Sequence, residues 1–264
     1  MTSSIVAAPR AASPAEEPRR PGWYFVRLEI IRVLTNISTL VFCCAMPIGF
    51  YLMFGLAYGK YAAGYGNMNA LTLAMMGIYG AAMTATAPAY ALPRERMSGW
   101  NRQLRLTPLR PLVYVLAKVV AAVVSALACL IVLYAVGLAM GQARMPASVW
   151  FGTLGIAWLG SLGFAAMGLF VGLVMKKDEP AAVIVPVMMV CSFLSGAFQI
   201  PVTGPVWDAI RSVVPMGGLV QWASSLFGPD VATTDWKVWV NVIGWILISV
   251  LAAALAFTKD TKRQ

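Results

Sequence analysis

Six apolar runs follow one another between Ile37 and Phe257, each near the length a helix needs to cross a bilayer. About 20 helical residues span the hydrocarbon core. Hydropathy places the runs near Ile37–Ala57, Asn69–Leu92, Leu112–Met140, Val149–Met175, Ala181–Gln199 and Val238–Phe257. With 60% hydrophobic and 11% charged residues and a mean hydropathy of +0.76, the 264-residue chain does not describe a soluble domain. The expected fold is all-α integral membrane: six transmembrane helices within residues 22–264, after a tail, residues 1–21, expected to be disordered. That tail lacks the short apolar core and small-residue cleavage site of a signal peptide.

The net charge of +10 would suggest nucleic acid in a soluble protein, but here the cations sit between the spans. Sixteen of the twenty Lys and Arg fall on one side of a six-span layout, which makes that side, with both termini, cytoplasmic. Membrane lipid headgroups, not nucleic acid, are their expected partners. Lys118 is the one charged residue within the six runs, near a cytoplasmic end where it is expected to snorkel to the headgroups.

The most polar internal stretch, Pro93 to Pro111, carries Arg94, Arg96, Arg102, Arg105 and Arg110 against one acid, Glu95. As a helix over 94–106 it puts Met97, Trp100 and Leu104 on one face and Ser98, Asn101, Arg102 and Arg105 on the other. Two readings stand: a helix that docks on the interface or a partner, and a basic loop that only sets topology. Residues 22–35 read as an interfacial helix, with Phe25, Glu29 and Arg32 on one side and Trp23, Val26, Ile30, Val33 and Leu34 on the other. The extracytoplasmic stretch 200–227 is too apolar for a solvated loop, and its prolines and glycines forbid one straight span. It reads either as a re-entrant segment, with short helices at 206–214 and 219–227, or as a headgroup-level loop anchored by Trp207 and Trp222.

Several chemistries find no residues. The chain has no histidine, and its four cysteines lie inside apolar runs without CxxC spacing, so neither a catalytic site nor a metal site is expected. GLAYGKY (Gly55 to Tyr61) lacks the glycine spacing and the Ser or Thr of a phosphate-binding loop. No carboxylate lies within the runs to serve an ion-coupled carrier. The spans offer instead Met76, Tyr79, Met83 and Thr86 in the second run and Met189, Phe193 and Gln199 in the fifth. Such residues line pathways for adaptable apolar cargo, and equally pack helices together. Pro47, Pro88 and Pro186 interrupt spans, and Thr84 is placed to satisfy the carbonyl that Pro88 frees. GxxxG pairs at Gly55/Gly59, Gly137/Gly141 and Gly168/Gly172 imply closely packed helices.

This layout resembles the membrane subunit of a type-2 ABC exporter. The resemblance rests on Glu95-Arg96, Gly99, Leu104 and Thr107-Pro108-Leu109 in the first cytoplasmic loop, running into the third span with Lys118, and on Phe193 to Trp207 with Val213-Val214-Pro215 before the last span. It departs from the family pattern at Met97, where many relatives carry a second acid, and at Trp100, where a hydroxyl is frequent. It implies a multi-pass subunit of a bacterial plasma membrane. It further implies a second permease subunit, identical or related, and two copies of a separate ATPase that hold ATP and magnesium, with no cofactor in this chain. The 94–106 helix is then the coupling helix, with Glu95, Arg96, Met97, Gly99, Trp100 and Leu104 as its contact residues. The implied function is export of an amphipathic drug, antibiotic or lipid, against the alternative of an ion-coupled secondary transporter.

Overall fold

The computed structural model describes residues 22–97, 111–175, 180–199 and 204–263. In chain order these form α1 (Gly22–Thr35), α2 (Ile37–Tyr58), a two-strand hairpin β1 (Ala62–Ala63) and β2 (Gly66–Asn67), α3 (Met68–Thr86), a 3-10 turn (Ala87–Ala91) and α4 (Leu92–Met97). They continue with α5 (Pro111–Met140), α6 (Ala147–Val174), α7 (Pro180–Ser195), α8 (Pro205–Val213), α9 (Gly217–Ser225) and α10 (Trp236–Arg263). Five helical stretches are long and apolar enough to cross a membrane: Ile37–Tyr58, Met68–Ala91, Val113–Met140, Ala147–Val174 and Trp236–Thr258. The fifth expected run, Ala181–Gln199, is instead the 16-residue α7, about 24 Å long against a hydrocarbon core of about 30 Å. Its helix stops at Ser195 because Gly196 turns into the left-handed region at φ 85°.

α3 is the axis of the bundle. Between Asn69 and Thr86 every residue is buried, and the sequence there is dominated by Ala, Gly, Thr and Met. Small side chains let α2, α5 and α6 close on it from three directions. A Cβ at Gly80 would lie 3.2 Å from Cys129 Sγ, and one at Gly168 of α6 would lie 2.9 Å from Thr86 Cα. A Cβ at Gly172 would meet Ala89 O at 2.7 Å, so this GxxxG pair closes α6 onto the 3-10 turn within the chain. α1 lies on α5, and α10 on α6.

Pro88 tightens the end of the second span into the 3-10 turn. The expectation for Thr84 is corrected here. Its hydroxyl donates back to Gly80 O at 2.7 Å, while its own carbonyl, left by Pro88, accepts from Ala87 N and from Ser125 Oγ at 3.3 Å. The neighbouring helix supplies the donor because a threonine hydroxyl reaches the preceding turn, not its own carbonyl.

At the end of the bundle away from α1 and α4, side chains tie the loops together. Asn67 Oδ1 accepts from Ala70 N and Arg144 N, and its Nδ2 donates to Gly59 O and Gln142 O. Tyr65 N donates to Phe227 O at 2.7 Å. That approach needs glycine beside it, since a Cβ at Gly64 would stand 1.8 Å from the same oxygen. In the segment expected at 200–227, α8 is an exposed amphipathic helix, whereas α9 buries Leu219, Val220 and Ala223 against α6, α10 and α3. Asn241 of α10 clasps the bend between them, donating to Ser212 O and Val214 O and accepting from Gly218 N.

Candidate functional site

A buried cluster of charges joins α1, α4 and α5 at one end of the bundle. α1 presents its apolar Trp23, Leu28, Ile31 and Leu34 outward and turns Glu29, 5% exposed, onto the bundle. Lys118 Nζ donates to Glu29 Oε1 at 2.6 Å and to Glu95 Oε1 at 2.8 Å. Tyr114 donates its hydroxyl to Glu95 Oε2 at 2.6 Å. Arg32 donates through Nη1 to Glu95 Oε1, and the same nitrogen lies 3.7 Å from Glu29 Oε2. Among the described residues these are two acids and two bases, and they balance. An unpaired buried charge costs several kcal/mol, so the set is stable only as a set.

This corrects the expectation that Lys118 snorkels. At 1% exposure its ammonium is turned inward, because two carboxylates from separate helices meet there. Burial alone would raise the Glu95 carboxyl, but Lys118, Tyr114 and Arg32 outweigh it and hold the group below its ordinary value. For Arg32, burial works to lower the guanidinium, yet Glu95 and Glu29 raise it on balance.

Of the six coupling residues expected from sequence, Glu95 stands in this cluster. Arg96 and Met97 close α4, with side chains outside the described set, and Gly99, Trp100 and Leu104 lie outside the described residues. So does most of the expected 94–106 helix. Glu29, Arg32, Tyr114 and Lys118 were not expected as site residues. The signal available for the first two was their shared face on α1.

The candidate pathway residues divide. Met76, Tyr79, Met83 and Thr86 are fully buried along α3. Tyr79 and Phe193 gather around Phe198, which stacks on Phe193 at 4.0 Å and also meets Phe50 and Phe54. Gln199 follows, with Oε1 accepting from Thr72 at 3.4 Å. Thr86 shares a bond of 3.1 Å with the Tyr90 hydroxyl near the opposite end, and Met189 is half-buried on α7. Tyr79 Oη and Gln199 Nε2 are buried with no hydrogen-bond partner among the described residues.

Next to the charge cluster a recess of ≈ 470 Å³ opens between the α1–α2 junction, the 3-10 turn and the start of α7. Glu29, Arg32 and Tyr90 supply part of its polar wall, with Asn36, Thr39 and Thr84, and Leu40, Ala91 and Ala181 part of its apolar one. No group of three or more metal-ligating side chains occurs among the described residues.

A bundle of apolar helices whose charges, among the described residues, fall in one buried knot, at helix ends, on the short helices and in the loops is a multi-pass membrane protein. The chain belongs to the ABC-2 type transporter family, whose family model matches residues 23–227, from α1 through α9. It is therefore a transport component and not a catalytic domain. No curated protein matches the sequence.

Proposed function

We propose that this chain is the transmembrane permease subunit of an ATP-driven exporter that moves amphipathic small molecules, such as a drug, an antibiotic or a lipid, out of a bacterial cell. Two permease subunits, identical or related, pair in the plasma membrane. Two copies of a separate ABC ATPase bind their basic, cytoplasmic ends and hold ATP and magnesium. Family membership supports the partnership.

One observation carries the coupling role: Glu95, at the start of the arginine-rich stretch, is bonded to Lys118 on α5 and to Arg32 on α1. A push on the 94–106 helix therefore reaches two other helices through charge-assisted bonds, not through a slack loop. Met97, Trp100 and Leu104 fill an apolar notch on the ATPase while the arginines meet acids at its rim. ATP-driven closure rocks the spans and opens the far end beneath residues 200–227. The unpartnered Tyr79 hydroxyl and Gln199 amide support a passage beside them, since such atoms in a native fold call for a further partner.

An ion-coupled secondary transporter is the second reading. It is favoured by the two buried carboxylates, Glu29 and Glu95, though both are engaged by Lys118 and Arg32. A gentle-detergent pull-down from the native cells separates the two. The exporter brings down a stoichiometric soluble ATPase, which is lost when Trp100→Asp and Leu104→Asp are combined, with the permease still in the membrane. Full transport by that double variant would refute the coupling role. Transport driven by an ion gradient without any ATPase would establish the second reading.

A further inference from the structure

We infer that the recess beside the charge cluster is a binding site for the head of a zwitterionic amphiphile, one carrying an ammonium and a phosphate or carboxylate, supplied either as a membrane lipid or as cargo. Three observations lead there. The first is size: ≈ 470 Å³ falls within the range of about 300–1,000 Å³ typical of small-molecule sites, enough for a headgroup and the start of its chain.

The second is the unspent hydrogen-bonding capacity on its wall. Glu29 gives Oε1 to Lys118, while its Oε2 has only Arg32 Nη1 nearby, at 3.7 Å and beyond hydrogen-bonding distance. Arg32 spends Nη1 on Glu95, and its side chain is 50% exposed, with the other N–H donors of the guanidinium unused among the described residues. The recess therefore offers one carboxylate oxygen to a cation and one guanidinium edge to an anion, side by side.

The third is charge balance. Among the described residues, the charges of Glu29, Glu95, Arg32 and Lys118 sum to zero. A purely anionic or purely cationic head would leave an uncompensated charge beside the buried Glu29 carboxylate or the Arg32 guanidinium, which is costly. A zwitterion leaves none. Its ammonium meets Glu29 and its anionic group meets Arg32, while Leu40, Ala91 and Ala181 take the first carbons of its chain. The exposed apolar face of α1, with Trp23, Leu28, Ile31 and Leu34, seats that helix at headgroup level, so such a ligand enters sideways from the leaflet.

The site itself does not depend on the exporter reading; only the cargo source rests on it. The test is binding to the full-length protein with its co-purified partners in a neutral maltoside, read by native mass spectrometry without ATP. Three probes share one acyl chain length: a phosphatidylethanolamine (zwitterion), a phosphatidylglycerol (anion) and an ethyl-phosphocholine (cation). The zwitterion is expected to bind at least tenfold more tightly than either of the others. Ala91→Trp and, separately, Ala181→Trp are expected to fill the recess and remove that preference while the complex keeps its subunit composition in the same mass spectra. Equal binding of the three probes would overturn the ligand class, and a preference that survives both tryptophans would overturn the site. If the zwitterion also stimulates ATP turnover it is cargo, and if it binds without effect on turnover it is a resident lipid. Absence of any co-purified ATPase would count against the exporter reading alone.

Discussion

At the scale of single residues, Lys118 carries the sharpest consequence. Its ammonium separates two carboxylates that lie 89 and 23 residues away in sequence. Removing one partner from a buried ion set costs about 3–5 kcal/mol. In a chain of this size about 3 kcal/mol lowers Tm by roughly 10 °C. Lys118→Ala is expected to do this in a tryptophan-fluorescence melt in neutral detergent, and Lys118→Arg to recover part of it. Glu95 adds a pH dependence with a definite sign. Its folded carboxyl lies below the ordinary value of 4.5, so its contribution is complete above that pH and is lost as pH falls through the folded value. Tm is therefore expected to hold from neutral pH down to about 5 on this account and to fall below that, and Glu95→Gln should remove that part of the fall. This cluster was barely legible in the sequence. Glu29 sits on a helix whose wheel is equally consistent with a polar face in water, and only the docking of α1 on α5 turns that face inward. Glu95 and Lys118 both stand in the stretch that carries the family resemblance, but nothing in their spacing pairs the two.

Among the elements, spans were the easiest to read. Long apolar runs have one stable outcome in lipid, and all five candidate spans begin and end within two residues of their hydropathic limits. The fifth run was misjudged at its end because hydropathy does not register a left-handed glycine. Gly196 stops α7, and Phe198, counted into the span, packs in a turn among Phe50, Phe54 and Phe193. The glycine spacings told of close approach without saying to what. α6 shows the answer. Gly168→Val forces a side chain to within 2.9 Å of Thr86 Cα, while Gly155 has nothing within 4 Å of its missing Cβ. Overpacking of this kind costs about 1–3 kcal/mol. A thermal melt is expected to show Gly168→Val destabilised and Gly155→Ala unchanged or slightly stabilised; equal behaviour of the two would mean that α6 is not seated on the end of α3.

For the whole molecule, parity matters. Five crossings would leave the basic N-terminal and C-terminal segments on opposite sides of the membrane, whereas the distribution of Lys and Arg asks for an even number. α7 runs beside α3 for most of the bundle, since Ala181 faces the recess with Ala91 at one end and Gln199 reaches Thr72 at the other. A sixth crossing by this short helix and the turn after it is thus the expected arrangement, helped by local thinning of the bilayer. Impermeant thiol labelling in intact cells checks it in a background with the native cysteines replaced. A cysteine at Thr258 should stay unlabelled, one at exposed Tyr65 should label, and labelling of both would mean an odd count. The far-end hairpin also bears on how such a protein can be handled. Asn67 and Tyr65 hold three separate connections at once, between α2 and α3, between α5 and α6, and after α9. An epitope tag spliced between Tyr61 and Met68, a link with exposed tyrosines and so an inviting place for one, would unfasten all three, and point labels are the safer reporters for this face.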